Sequence, residues 1–103
     1  MSPTQRTLDK LRSAGYIAEV VERWNPHARV RHDLFGFVDV LAVRDGEVLA
    51  VQATSRSNVA ARVIKVAEHP NVGAVRKAGI RIEVHGWAKM AGGRWDCRVV
   101  DCS

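Results

Sequence analysis

Apolar and polar positions alternate most clearly between Gly36 and Val43 and again between Glu47 and Thr54. Both runs are rich in Val, Leu and Ala, and their period of two predicts strands. Asp45-Gly46 between them is a strong short-range hairpin signal. With those two residues as the loop, Arg44 faces Glu47, Val43 faces Val48, Asp39 faces Gln52 and Phe37 faces Thr54. Side chains two apart share a face, so Asp39, Gln52 and Thr54 are expected on one face of the pair.

The flanking segments carry other periods. Ser2 or Thr4 is placed to cap a helix that runs to about Ala14 and closes at Gly15, with Leu8, Leu11 and Ala14 as its apolar stripe. Tyr16–Trp24 predicts a first strand with Ile17, Glu19, Val21 and Arg23 on one face and Ala18, Val20 and Glu22 on the other. Asn25-Pro26-His27 predicts a turn, and Arg29–Asp33 a polar lead-in to the hairpin. After the hairpin, Ser57 or Asn58 caps a helix over Val59–His69, whose expected buried stripe is Val59, Val63, Val66 and Ala67. Pro70 interrupts it. A short helix follows over Val72–Ala78 and ends at Gly79. Ile80–Ala88 and Arg94–Asp101 predict two last strands. Ile80, Ile82 and Val84 are expected inward, Arg81, Glu83, His85 and Trp87 outward, and Trp87 paired with Trp95. The order helix, three strands, helix, strand, strand predicts an α/β fold with a mixed sheet, because the long crossover after the third strand favours a parallel pairing.

Composition narrows the class. At 103 residues the chain is expected to form one domain with its own core. No apolar run approaches the length of a membrane helix and no signal-like segment is seen, so a cytoplasmic protein without a membrane partner is expected. Cys97 and Cys102 are too few for a disulfide framework and do not form a zinc motif. The net charge of +5 favours a polyanionic partner, of which nucleic acid is the commonest. Arg62, Lys65 and His69 fall at i, i+3 and i+7 on the second helix and form a basic face. Together with Ser55 and Arg56 they are the candidate phosphate contacts.

An acid opposite an amide inside such apolar strands has two readings. Asp39 and Gln52 either satisfy each other by hydrogen bonding or offer oxygen ligands to a hard divalent cation. The layout resembles the PD-(D/E)XK nuclease superfamily, in particular the small Holliday-junction resolvases and their phage-encoded relatives. Phe37-Val38-Asp39 stands where that family has Pro-Asp, and Gln52-Ala53-Thr54 where it has (Asp/Glu)-x-Lys. The resemblance spans roughly residues 4–88 and rests on a short, degenerate motif. It implies a restriction-endonuclease-like α-β-β-β-α-β core, Mg²⁺ or Mn²⁺ as cofactor, cleavage of DNA phosphodiesters, and a homodimer. Asp39, Gln52 and Thr54 become the catalytic candidates. Asp39, Gln52 and Glu68 become the metal candidates, Glu68 standing in for the missing strand acid; Glu19 and Glu22 are further candidates. Two departures are plain. Gln52 replaces an acid, and Thr54 replaces the lysine that in the family polarises the attacking water or the phosphate. A nucleic-acid-binding module without cleavage is the alternative, and a small assembly protein with a basic surface the third reading.

Overall fold

A computed structural model describes residues 1–103. Helix α1 (Pro3–Ser13) is followed by β1 (Ile17–Val20), β2 (Arg23–Asn25), β3 (Val30–His32), β4 (Val40–Arg44) and β5 (Glu47–Ser55). A 3-10 turn (Arg56–Asn58) leads into α2 (Val59–Glu68), then α3 (Val72–Lys77), β6 (Arg81–Lys89) and β7 (Trp95–Asp101). Five strands form one sheet in the order β1-β4-β5-β6-β7, and β2 and β3 form a separate two-stranded ribbon. All neighbours in the main sheet are antiparallel except β5 and β6, which are parallel. The expected α/β fold with a mixed sheet is therefore observed.

Helix α1 begins where the sequence places it. Ser2 Oγ accepts the Gln5 N–H at 3.2 Å, and Pro3 occupies the first turn, where its missing N–H costs nothing. It covers one face of the sheet. There Leu8 and Leu11 pack with Tyr16, Ala18, Val40, Ala42, Leu49 and Val51. Ala14, expected in the stripe, is exposed, because the helix has ended by then. Helices α2 and α3 cover the opposite face, where Val59, Val66, Val72 and Val75 bury Ala50, Ile82 and Val84 together with Phe37 and Val38. Ala67 is exposed rather than part of that stripe; Val63 packs at its edge.

The 45–46 turn sets the predicted register: Arg44 pairs with Glu47, Val43 with Val48 and Val40 with Val51. Pairing stops one residue later, where Asp39 N–H donates to the Val51 carbonyl at 2.9 Å. The expected pairing of Phe37 with Thr54 is not made. The chain instead turns at Leu34–Phe37, with Phe35 and Gly36 both at positive φ, and Phe37 swings into the core beneath α2 and α3. Gly36 is obligatory twice over. Its φ is +92°, and a Cβ there would lie 2.3 Å from the His69 ring, which stacks on Phe37 at 5.3 Å. His69 is thus drawn into packing and leaves the basic face on which its spacing had placed it.

The expected first strand splits. Val21 N–H still bonds the Asp39 carbonyl at 2.8 Å, and then the chain leaves the sheet to form the β2–β3 ribbon. His85 differs from expectation as well. It is buried because α1 covers its face, and its ring lies between Thr7 Oγ1 at 3.3 Å and Glu83 Oε1 at 2.9 Å. Trp87 Nε1 can only donate, and donates to Thr7 Oγ1 at 3.0 Å. With that hydroxyl proton turned to His85 Nδ1, Nε2 carries the ring proton toward Glu83. Trp87 faces Cys97, not Trp95; Trp95 faces Lys89 and lies under the Arg6 guanidinium.

Candidate metal centre

Asp39 sits immediately before β4, 3% exposed, at the edge of the main sheet next to the ribbon. Its Oδ2 accepts two hydrogen bonds, from Gln52 Nε2 at 2.5 Å and from the Ala53 backbone N–H at 2.8 Å. The expected Asp39–Gln52 juxtaposition is thus realised as a hydrogen bond that fixes the carboxylate. Gln52 Oε1 is buried with no partner. An orphaned acceptor of this kind costs about 1–3 kcal/mol.

Two further acids reach Asp39, both from the two ends that flank the ribbon. The ladder pairs Asn25 with Val30, Trp24 with Arg31 and Arg23 with His32, and the next residues outward are Glu22 and Asp33. Carboxylate oxygens of Glu22, Asp33 and Asp39 all lie within 4.8 Å of one another. Three negative groups this close repel unless a cation lies among them. Burial pushes the Asp39 carboxyl up to about 7. The neighbouring Asp33 and Glu22 charges push the same way, while the Ala53 N–H and the Gln52 amide oppose them. Two cations partly offset the cluster: Arg31 stands 3.7 Å from Glu22, and Lys65 stands 3.7 Å from Asp33.

The donors suit a hard divalent ion. Such ions take oxygen ligands, and at a metal–oxygen distance of about 2.0–2.1 Å two opposed ligands stand about 4.2 Å apart. The observed spread of at most 4.8 Å needs little adjustment to reach that. The acids line a cavity of about 530 Å³ whose other walls are mostly polar: Ser2, Pro3 and Thr4 from the start of α1, Ala53, Thr54 and Ser55 from β5, Asn58 from the 3-10 turn, Arg62 from α2, and Arg31 from β3. The N-terminal ends of α1 and α2 both open onto it, and neither carries an acid in its first turn. The positive dipole ends of the two helices favour an anion there.

The remaining candidates divide. Thr54, Ser55 and Arg62 line the cavity, and Lys65 reaches its edge through Asp33. Arg56 turns away to Asp96, 2.9 Å from its Oδ2, and Glu68 ends α2 as an exposed residue outside the carboxylate cluster. Glu19 is exposed on β1, with Arg12 3.7 Å away. Of the acids that the sequence offers as candidates, Glu22 joins the site; Asp33, in the polar lead-in to the hairpin, carries no sequence signal of its own.

No protein-family model, no curated protein and no solved structure matches this chain. No helix is long and apolar enough to cross a membrane.

Proposed function

We propose that this chain is a divalent-metal-dependent nuclease-like protein acting on DNA phosphodiesters, with Glu22, Asp33 and Asp39 as the metal ligands. The observation that carries the reading is the convergence of these three carboxylates at the foot of a polar cavity edged by arginines and helix N-termini. The PD-(D/E)XK resemblance agrees with it, since Asp39 is the residue the resemblance assigns to the metal. Here the second and third acids come from the two ends that flank the ribbon.

Mg²⁺ or Mn²⁺ bound to the three acids would supply an activated water and offset the charge that builds on phosphorus. The chain's own residues bind and orient. Gln52 and the Ala53 N–H hold the Asp39 carboxylate in one rotamer, so Gln52 acts here as a positioning residue rather than a ligand. Arg62, Ser55, Thr54 and the first turn of α1 face the space where a phosphate would sit, and Arg62 supplies its charge. The resemblance assigns an amine to position 54, which is Thr. The amine beside the cluster is Lys65, held 3.7 Å from Asp33, and it is the group proposed to take that role.

A second reading, a nucleic-acid-binding module that does not cleave, is favoured by one feature. Arg31 and Lys65 already stand against two of the three acids, as they would in a purely structural ion-pair cluster. A cleavage screen with Mg²⁺ or Mn²⁺ over duplex, single-stranded, flapped and four-way-junction DNA decides between them. Metal-dependent product that disappears in Asp39→Asn supports the nuclease. DNA binding without product and without Mn²⁺ binding supports the module.

A further inference from the structure

The ribbon that delivers Glu22 and Asp33 has a composition of its own. Residues 23–32 contain three arginines, two histidines and a tryptophan, and no acid. It buries almost nothing: Arg23, Trp24 and all three residues of β3 are exposed, Trp24 at 58% and Val30 at 42%. A two-stranded ribbon that contributes no residue to either core cluster is an element the fold does not require. Its two faces look onto different cavities. Trp24 is opposite Arg31, and Arg31 lines the carboxylate cavity; Trp24 and Glu22 are two apart, so they project to the same side. The other face presents Arg23 and His32 to a second cavity of about 430 Å³, walled by Val21, Asp33, Leu34 and Phe35. Phe35 is itself 43% exposed and held at a φ of 58°, a conformation rare for a non-glycine residue.

From this juxtaposition we propose that the 23–32 ribbon is a nucleic-acid-gripping arm. It holds a single-stranded segment of DNA that wraps the ribbon beside the carboxylate cavity, with Trp24 stacking on a base on the cavity side and Arg23, on the opposite face, and Arg29, in the turn, contacting its phosphates. The charge is complementary to a phosphate chain along the whole arm. An exposed indole one ribbon step beyond Glu22 offers a face to an unstacked base and cannot read one inside a duplex. Because Glu22 and Asp33 are the arm's two roots, strand capture there would position the backbone over the acids. This rests on the nuclease reading for its purpose, though the binding itself does not need a metal.

The test is fluorescence anisotropy of a labelled oligothymidylate in EDTA, which keeps binding apart from cleavage. Trp24→Ala is expected to weaken binding about tenfold or more, and Trp24→Phe to retain most of it. Arg23→Ala/Arg29→Ala should reduce the slope of log K against log salt by about 1.4, at about 0.7 per neutralised phosphate on a single strand. All these positions are exposed and none is a proposed ligand, so the Mn²⁺ response of the melting temperature should be unchanged. Wild-type affinity in both the Trp24→Ala and the double-arginine variants overturns the arm, as does a wild type that fails to bind single strands. If the wild type cleaves with Mn²⁺ and the arm variants cleave and bind equally well, only the arm is lost. If the variants lose binding while the wild type neither takes up Mn²⁺ nor cleaves, the arm stands and the metal site falls.

Discussion

Gln52 Nε2 donates to Asp39 Oδ2 at 2.5 Å across the β4–β5 pair, and the other amide atom of Gln52 is buried without a partner. The amide is thus the one side chain that both touches the carboxylate and can only donate to it from that atom. Gln52→Glu sets a second buried carboxylate against Asp39 and removes the donor. In EDTA the variant should lose about 3 kcal/mol of stability. Millimolar Mn²⁺ should restore part of that loss, because the added charge then has a counter-ion. Urea melts with and without Mn²⁺ measure both. A variant as stable as wild type in EDTA would show that the Asp39–Gln52 contact is not the constraint described.

Asp39→Asn should act in the opposite direction. The Asn oxygen still accepts from the Ala53 N–H and Gln52, and its amide nitrogen faces Glu22 and Asp33 as a donor. One of three mutually repelling charges is removed. In EDTA the expected stability equals or exceeds wild type by up to about 1 kcal/mol. The wild type should gain about 1.4 kcal/mol from Mn²⁺ at ten times its Kd, and the variant little, since the charge supplies most of the attraction to a hard cation. Thermal shift across a Mn²⁺ titration reads both. An equal Mn²⁺ response in the two proteins would place the ion elsewhere.

The approach of α2 to the sheet depends on Gly86. A Cβ at that position would lie 2.1 Å from Val59 Cγ2 and 3.1 Å from the Arg56 Cα. Val59 is fully enclosed, so the start of α2 would have to move outward, and Ser55, Asn58 and Arg62 would move with it. Gly86→Ala is expected to cost about 3 kcal/mol. Under conditions where it remains folded, it should also weaken DNA binding. Normal stability in Gly86→Ala would mean that the 3-10 turn has room to shift.

Much of the sheet was legible because Asp45-Gly46 leaves little freedom in register, and Asp39 opposite Gln52 followed from it. The ribbon was not. Tyr16–Trp24 reads as one alternating strand, and nothing local in it marks the departure after Val21, whose N–H still bonds the Asp39 carbonyl. The signal that was present lay around Asn25-Pro26-His27. Folding Val30–Asp33 back across that turn sets Glu22 opposite Asp33, but a polar run such as RVRHD lacks the apolar alternation that announces a strand. The burial of His85 was hidden for a related reason. A strand covered by helices on both faces loses its inward and outward sides, and only the position of α1 reveals that Thr7 meets the ring on the side away from Glu83.

Tyr16 offers a pH test free of the carboxylate cluster. Its hydroxyl donates to Glu47 Oε1 at 2.8 Å, Arg44 lies over its ring at 4.1 Å, and Arg81 reaches the same Glu47 oxygen at 2.6 Å. Burial first, then the hydrogen bond to Glu47 and its charge, raise the Tyr16 pKa above the usual 10.0. The Tyr16 hydrogen bond is the largest influence lowering that of Glu47, and Arg81 acts the same way. The signs follow from linkage. The Glu47 contribution to stability is present above the unfolded carboxyl pKa of about 4.3 and is lost as pH falls through its depressed folded value. The Tyr16 contribution is present below an unfolded pKa of about 10 and is lost as pH rises through its elevated folded value. Tyr16 is the only tyrosine in the chain, so phenolate absorbance reports this group alone. Its titration midpoint should lie above 10 in the wild type, and Glu47→Gln should move it down, because the amide keeps an acceptor but removes the negative charge. A midpoint unmoved by Glu47→Gln would mean that burial alone sets the Tyr16 value.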